Sequence, residues 1–279
     1  IAAALIGLCK APARPTALLS ASLTLALGIW ALVSFDGCSS CWSRFEGMDL
    51  QLTLAPALSK VMLLLTILVT FATVLGTNPP QGGEASWYNS ALLISAGATG
   101  AFLSDNIISF FAFHELALIP TFVMIGLYGR GDRRTTAWRA TLYLGLASMV
   151  LLAALLMIGT QAGFTFSGLK DFMASGRELA HAELIGALLI AGFGTLISLF
   201  PFHSWAAPAY ASAPAPVAMM HAGVLKKFGL YGLFMFQPLM ETGFLPWTNI
   251  LLVLLVVAFM VRSSLREPEK IVLPPEPST

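Results

Sequence analysis

The sequence predicts an all-α fold, a polytopic bundle of transmembrane helices. Of the 279 residues, 57% are hydrophobic and only 10% are charged, whereas a soluble domain carries roughly a quarter charged residues. Apolar runs of about 17 to 25 residues, each long enough to cross a bilayer, recur along the chain. Much of the surface must therefore face lipid, and a soluble enzyme is excluded.

These runs predict eight complete spans and one partial span. The partial span is 1–9, and the complete spans are roughly 15–35, 57–76, 88–104, 107–128, 138–160, 183–202, 215–237 and 245–262. They form one transmembrane domain over residues 1–262. The polar, proline-rich tail 263–279 is predicted to be disordered. A polar connection over 165–182 is expected to carry a short surface helix.

The basic residues predict how the bundle lies in the membrane. If the spans alternate, nine Lys and Arg residues fall on the side of the loop from Arg130 to Arg139, and four fall on the opposite side. Cytoplasmic loops carry the excess of Lys and Arg. This loop and the C-terminal tail are therefore predicted to be cytoplasmic.

Several kinds of site are disfavoured by the sequence. The net charge is +1 and there is no clustered basic face, which excludes nucleic-acid binding. Cys38 and Cys41 lie in a polar loop without a second pair or a nearby histidine, so a loop disulfide or two free thiols is favoured over zinc. No phosphate loop, metal-ligand spacing or catalytic triad is present. No metal and no cofactor are therefore expected on this chain.

Glu115 is the most informative ionisable residue, since it lies near the middle of the predicted span 107–128. A charged side chain at membrane depth costs about 2.5 kcal/mol or more on insertion scales, and it marks a candidate functional site. The functional interpretation is a carboxyl that loads and releases a proton. The alternative is a structural carboxyl, protonated and hydrogen-bonded to a neighbouring helix.

Lys226 and Lys227 lie in the middle of the predicted span 215–237. Adjacent helical residues project about 100° apart, so the two lysines cannot both face one channel. One is expected to point into the bundle and the other along a groove. Snorkelling to the membrane surface is disfavoured because the site is far from both helix ends.

His203 follows Pro201 at the end of the predicted span 183–202, where prolines recur as far as Pro216. An interrupted helix at membrane depth is tolerated only where it is buried in protein or lines a cavity, and such breaks form ion sites in transporters. His203 is thus either a proton relay or a packed neutral histidine. His114 and His221 are weaker candidates. His114 is expected to face away from Glu115 toward a neighbouring helix, and His221 to share a helix with Lys227 but not its face.

Two stretches of the sequence resemble a known family. The first is Phe110-Phe-Ala-Phe-His-Glu115-Leu-Ala-Leu-Ile-Pro120; the second combines Pro201-Phe-His203-Ser-Trp205 with Ala222-Gly-Val-Leu-Lys-Lys227-Phe-Gly-Leu-Tyr-Gly232. Both resemble the antiporter-like proton-channel subunits of respiratory complex I (NADH:quinone oxidoreductase), and most closely chain M of the bacterial enzyme. Related chains occur in Mrp-type antiporters and membrane-bound hydrogenases.

The resemblance implies a role for each matched residue. Glu115 matches the family's essential carboxylate on the fifth helix, and Lys227 matches the lysine at the centre of the eighth. Pro201 falls at the break of the family's discontinuous seventh helix, and His203 is the histidine of the signature that follows it. With Lys226 added from the residue-level argument, the predicted proton-translocating set is Glu115, Lys227, His203 and Lys226.

The resemblance further implies a proton-translocating membrane-arm subunit of NADH:quinone oxidoreductase, a multi-pass protein of the bacterial inner membrane. This chain would carry no redox cofactor, because other subunits of the complex bind NADH and quinone. Its expected partners are the other membrane-arm subunits and the lipid bilayer. The alternatives are a subunit of an Mrp-type cation/proton antiporter or membrane-bound hydrogenase, and a structural subunit that does not pump.

Two features depart from the family pattern. The family places a lysine on the seventh helix as partner of the fifth-helix glutamate, and Leu196 stands at that position here. Either Lys226 or a histidine takes over, or this half-channel does not pump. The family also has about fourteen helices in two inverted repeats. The present chain covers essentially the first repeat, and we expect it to be a truncated or split chain.

Overall fold

The computed structural model describes residues 12–34, 39–45, 48–54, 56–79, 82–237 and 239, and the single helical positions 253, 256 and 257. Its helices are α1 (Ala13–Ser34), α2 (Ala57–Gly76), α3 (Glu84–Leu103), α4 (Ile107–Tyr128), α5 (Arg133–Ala162), α6 (Phe166–Ala174), α7 (Ala182–Ile197), α8 (Ala206–Ser212), α9 (Ala215–Met220) and α10 (Lys226–Met235). A π-helical segment, His221–Leu225, joins α9 to α10. The predicted helical membrane architecture is confirmed.

The described helices agree closely with the predicted spans. Within the described residues, α1, α2, α4 and α5 are long and apolar enough to cross a membrane. Helix α3 begins at Glu84, earlier than predicted, and α5 extends over 30 residues. The predicted partial span 1–9 and the tail 263–279 lie outside the described residues, as does the span 245–262 apart from its three helical positions.

A β-hairpin occupies a region that the sequence analysis treated as a polar loop. Strands β1 (Ser39–Phe45) and β2 (Met48–Thr53) pair antiparallel, with an irregularity between Cys41 and Arg44. The residues of β2 alternate between apolar and polar types, which is the pattern of a half-buried strand. The expectation for the Cys38 and Cys41 thiols lies outside the described residues and side chains.

The predicted helix break near Pro201 is confirmed. Helix α7 ends at Ile197, five residues before the predicted limit of 202, and Ser198 adopts a left-handed conformation with φ of 63°. The amide of Leu199 donates to the carbonyl of Gly194 at 2.7 Å, which closes the helix end. A turn that contains Pro201 then leads to α8.

The predicted span 215–237 is helical from Ala215 to Met235, but its middle is π-helical. Helices α9 and α10 are joined by the π-helical segment, in which the amide of Lys226 donates to the carbonyl of His221. Single π-helical turns inside α-helices are rare and are frequent at functional sites. The turn changes which side chains of this span lie above one another.

Helix α6 is the short surface helix expected between residues 165 and 182. The hydroxyl of Thr165 caps it by accepting from the amide of Gly168. Phe166, Leu169 and Phe172 are buried on one face. Helix α6 therefore lies on the bundle with its apolar side inward.

Aromatic side chains from five helices form the centre of the bundle. Each is at most 2% exposed: Phe102 of α3, Phe110 of α4, Phe166 of α6, Phe193 of α7 and Phe228 of α10. The ring centroids of Phe102 and Phe228 are 4.9 Å apart, and those of Phe110 and Phe228 are 6.5 Å apart. These contacts fix α10, which carries the lysines, against α3 and α4.

Glycines allow α3 and α4 to approach very closely. A Cβ atom on Gly97 would lie 2.7 Å from the backbone oxygen of Phe113, and one on Gly100 would lie 2.5 Å from the Phe113 ring. A backbone oxygen cannot move aside as a side chain can. The position of α4, and hence of Glu115, therefore depends on the missing side chain at Gly97.

We predict that Gly97→Ala destabilises the protein by about 1–3 kcal/mol, the usual cost of overpacking. Gly145→Ala on α5 is the matched control, because no atom lies within 4 Å of its added Cβ. Alanine favours a helix over glycine by up to about 1 kcal/mol, so the control should be neutral or stabilising. Thermal unfolding in detergent micelles measures both. Equal shifts for the two variants would contradict the packing argument.

Candidate functional site

Glu115 lies near the middle of α4, as the sequence predicts. Its side chain is 35% exposed, so the carboxyl is only partly enclosed by this chain. Its Oε1 atom lies 3.3 Å from Nδ1 of His114. Ser148 of α5 is fully buried, and its hydroxyl has no hydrogen-bond partner among the described residues. The carboxyl lies between α4 and α5, where residues of both helices line one cavity.

His114 belongs to this site, contrary to the expectation that it faces away from Glu115. Its side chain is 2% exposed and its ring meets that of Phe228 edge to face, with centroids 5.1 Å apart. The predicted contact with a neighbouring helix is thus present. The predicted separation from Glu115 was wrong, because the imidazole is long enough to touch both the carboxyl and α10. His114 therefore links Glu115 to the helix of the lysines.

A cavity of about 170 Å³ lies beside Glu115, between α4 and α5. Its walls are mostly apolar, and its polar groups come from Glu115, Thr121, Thr141 and His221. Ile119 also lines it and is 67% exposed, so the cavity opens at the outer surface of the two helices. His221 brings the π-helical segment to the same cavity. Glu115 and His221 thus share one space although they are far apart in sequence.

His221 is buried, with 5% of its surface exposed. Its Nδ1 atom is 3.1 Å from the hydroxyl of Tyr210 on α8, and its ring lies 5.4 Å from that of Trp205. The Nε2 atom has no hydrogen-bond partner among the described residues. One ring nitrogen is therefore fixed by Tyr210, and the other remains available to a water molecule or a proton donor.

Lys226 lies over the same two aromatic residues. Its Nζ atom is 4.8 Å from the ring centroid of Tyr210 and 5.8 Å from that of Trp205, within the range of cation–π attraction. Both aromatic residues also contact His221. The structure therefore joins Lys226 to His221, and through the cavity to Glu115.

The π-helical segment explains why the sequence analysis underrated His221. In an α-helix, residues five positions apart differ in direction by about 140°. In the π-helical turn, residue i+5 bonds back to residue i, and Lys226 stands above His221 in this way. His221 and Tyr210 are accordingly site residues that the α-helical pattern missed. No sequence signal for the π-helical turn was available.

Lys227 and His203 occupy less central positions. Lys227 begins α10 with Lys226, is half-buried, and precedes the Phe228 that packs on His114. His203 is half-buried in the turn after α7, with its ring 5.5 Å from that of Phe200. The described lining of the cavity includes His221 but neither Lys227 nor His203.

Leu196, at the position where the resembling family has a lysine, is a core residue here. It is 4% exposed and packs against α10. A Cβ added to Gly229 of α10 would lie 3.2 Å from the Cβ of Leu196. Hydrocarbon therefore fills this position. Lys226, which the sequence analysis names as a replacement for this lysine, lies on α10, three residues before Gly229.

Metal binding finds no support in the part of the chain that the structure describes. No group of three His, Cys, Asp or Glu residues there could hold a metal ion. A larger open pocket of about 500 Å³ has Glu178, His181 and Glu183 in its lining. Its described lining shares no residue with that of the Glu115 cavity.

Comparison with known proteins identifies similar sequences. The family model described as "NADH:quinone oxidoreductase/Mrp antiporter, TM" matches residues 104–266. The NAD(P)H-quinone oxidoreductase chain 4 2 of Microcystis aeruginosa is 33% identical over 199 residues, which cover 69% of this chain and 34% of that protein. Chain 4-2 of Synechocystis sp. is 29% identical over 201 residues, with 72% and 36% covered. The chain thus spans about a third of the length of these relatives.

Solved structures of chains from membrane complexes are also similar to this chain. A chain of the archaeal membrane-bound sulfane sulfur reductase superposes with a TM-score of 0.73 at 26% identity, covering 88% of this chain and 40% of that one. A chain of respiratory complex I from Thermus thermophilus gives 0.74 at 25% identity, with 86% and 51% covered. A chain of the Mrp complex from Dietzia sp. gives 0.75 at 22% identity, with 88% and 28% covered, and supports the fold alone.

We predict that Tyr210→Phe destabilises the protein by about 1 kcal/mol, because it leaves Nδ1 of the buried His221 without its partner. Tyr143→Phe is the matched control, since that hydroxyl bonds Ser204 at an exposed position. Chemical unfolding in detergent measures the two free energies. Equal losses would argue against a special role for the Tyr210 contact.

Proposed function

This chain belongs to the NADH:quinone oxidoreductase/Mrp antiporter family of transmembrane subunits, and on that premise we propose that it translocates protons in the membrane arm of an NADH:quinone oxidoreductase. The observation that carries the proposal is the shared cavity of Glu115 and His221, with Lys226 stacked beside it. Titratable groups at membrane depth are costly, and connected ones form proton paths. The redox reaction would take place on other subunits, which would bind NADH and quinone, and this chain would hold no cofactor.

The proposed path begins at Glu115. A proton reaches its carboxyl through the mouth of the cavity, where the side chain is partly exposed. It passes to His221 across the cavity, and from His221 to Lys226, which stacks on Tyr210, the tyrosine that contacts His221. Lys227, next in the chain, would carry the proton toward the centre of the membrane arm. His203, in the turn after α7, remains a proposed relay toward the membrane surface.

Distance decides which groups respond first to a change in Glu115. Coulomb energy falls with separation, so a partner about 10 Å away feels less than half of what one at 4 Å feels. His114 lies 3.3 Å from the Glu115 carboxyl. We therefore assign the direct response to the histidines, and the response of Lys226 and Lys227 to transfer through them.

The exposed part of Glu115 supports assembly with partner subunits. A carboxyl that is 35% exposed on the chain cannot face acyl chains without a large cost. The mouth of its cavity would instead be covered by a polar surface of another membrane-arm subunit. The remaining faces of the bundle would contact lipid.

Leu196 favours a second candidate function, a structural subunit that does not pump. With hydrocarbon at this position, the glutamate–lysine pair of the family is incomplete. A subunit of an Mrp-type antiporter or membrane-bound hydrogenase is a further alternative within the family. Which soluble subunits co-purify with the chain distinguishes these complexes.

We predict that Glu115→Gln and Lys227→Ala each lower the number of protons translocated per electron, because each removes a proton-carrying group. The measurement uses the intact complex in inverted membrane vesicles, with proton uptake and NADH oxidation followed together. Glu178→Gln at the outer pocket is the matched control and should change nothing. An unchanged ratio in both site variants would reject the assignments and favour the structural subunit.

Lys226 can be tested separately by two substitutions. Lys226→Gln should lower the same ratio, because it removes the cation beside His221. Lys226→Arg keeps the charge and the stacking on Tyr210, but arginine does not release its proton, so it should lower the ratio as well. Recovery with arginine would instead indicate a purely structural or electrostatic role.

A further inference from the structure

Five buried hydroxyl groups form a line along α2, at Ser59, Thr66, Thr70, Thr73 and Thr77, the last of which follows the helix directly. Each is at most 5% exposed. At 100° per residue these positions fall within about 60° of one another, and at 1.5 Å per residue they extend over about 27 Å. We call this the hydroxyl ladder. Its length is close to the hydrocarbon thickness of a bilayer, about 30 Å.

Two hydroxyls of the ladder lack a hydrogen bond. Thr66 and Thr77 donate to carbonyls one turn earlier, those of Met62 and Thr73. The hydroxyls of Thr70 and Thr73 have no partner among the described residues, although their side chains are 2% and 1% exposed. Leaving a buried polar group unpaired costs about 1–3 kcal/mol. Such groups in proteins are usually satisfied by ordered water.

The ladder ends at tyrosines on other helices. Tyr88 of α3 donates its hydroxyl to the carbonyl of Thr77. Gly83, just before α3, accepts through its carbonyl from Tyr128, which ends α4 next to the predicted cytoplasmic loop. The Thr77 end of the ladder is therefore on the predicted cytoplasmic side. At the other end, the hydroxyl of Ser59 is 3.0 Å from that of Tyr231 on α10.

The middle of the ladder lies beside the π-helical segment. Val69 precedes Thr70 on α2. A Cβ added to Gly223 of the π-helical segment would lie 3.1 Å from Cγ2 of Val69. Tyr231 stands one helical turn after Lys227. The ladder therefore meets α10 at its outer end, through Tyr231, while α2 touches the π-helical segment near Thr70. No ladder residue lines the Glu115 cavity, so the two features are separate.

We propose that the hydroxyl ladder of α2 binds a file of water molecules that connects the cytoplasmic side to Tyr231, one helical turn from Lys227. This water file is a second proton route, independent of the Glu115 cavity. Hydroxyls and water are donors and acceptors at once, so a continuous file passes protons without any titratable side chain. The conduction part of this proposal rests on the proposed proton-translocating function, whereas the hydration part does not.

Cysteine accessibility tests hydration. In the intact complex, with Cys9, Cys38 and Cys41 replaced by serine, Thr70→Cys is treated with a small charged thiol reagent from the cytoplasmic side. Because the reactive thiolate forms only in water, it should react roughly tenfold faster than Leu68→Cys. Leu68 lies on the same helix at similar depth and is 46% exposed toward lipid. Equal, slow reaction at both positions would overturn the proposal.

Valine substitution tests conduction. The double variant Thr70→Val/Thr73→Val keeps the shape of both side chains and removes both hydroxyls. It should lower protons translocated per electron with the complex still assembled, whereas Thr160→Val, whose hydroxyl bonds only carbonyls of its own helix, should not. If the ladder is dry, the double variant will instead raise thermal stability and leave the ratio unchanged, which overturns the proposal.

The two arms separate this proposal from the proposed function. Fast modification of Thr70→Cys together with an unchanged ratio in the valine variant overturns the proton route and leaves only hydration. Fast modification in a complex where Glu115→Gln also has no effect points to failure of the proposed function itself.

Discussion

The contact of Glu115 with polar groups inside the bundle is the constraint on which the rest of the site depends. A carboxyl in the middle of a membrane helix must be solvated by something other than lipid. Here His114 lies 3.3 Å away, and a cavity leads from the carboxyl to His221. The close approach of α3 and α4 at Gly97 fixes where that carboxyl stands. Helix α4 therefore takes part in both the packing and the site.

The interrupted helices bring the remaining groups to this cavity. The break after α7 allows α8 to present Tyr210 to His221, and the π-helical segment places Lys226 over the same tyrosine. Neither arrangement is compatible with two straight spans. Leu196 fills the core at the position where the family has a lysine. Lys226 is connected to the cavity through Tyr210, which contacts His221. The proposed path therefore differs in its partner for Glu115 while keeping the family's scaffold.

The sequence predicted the membrane architecture, the break near Pro201 and the depth of Glu115, because hydropathy and proline act locally. It did not predict the π-helical segment, since an α-helical wheel separates His221 from Lys226. It also misjudged His114, because the reach of an imidazole depends on where α10 lies. The cavity and the hydroxyl ladder arise from the pairing of distant helices, and no local pattern specifies them. The hairpin was missed although β2 alternates in polarity.

The central claim is that Glu115 is coupled to Lys226 through His221. Difference infrared spectroscopy of the intact complex tests this claim most directly. The protonated carboxyl band of Glu115 is identified by its disappearance in Glu115→Gln. The account predicts that His221→Gln and Lys226→Gln both shift this band, while His203→Gln, outside the described cavity lining, leaves it unchanged. A band that stays in place in both His221→Gln and Lys226→Gln would contradict the account.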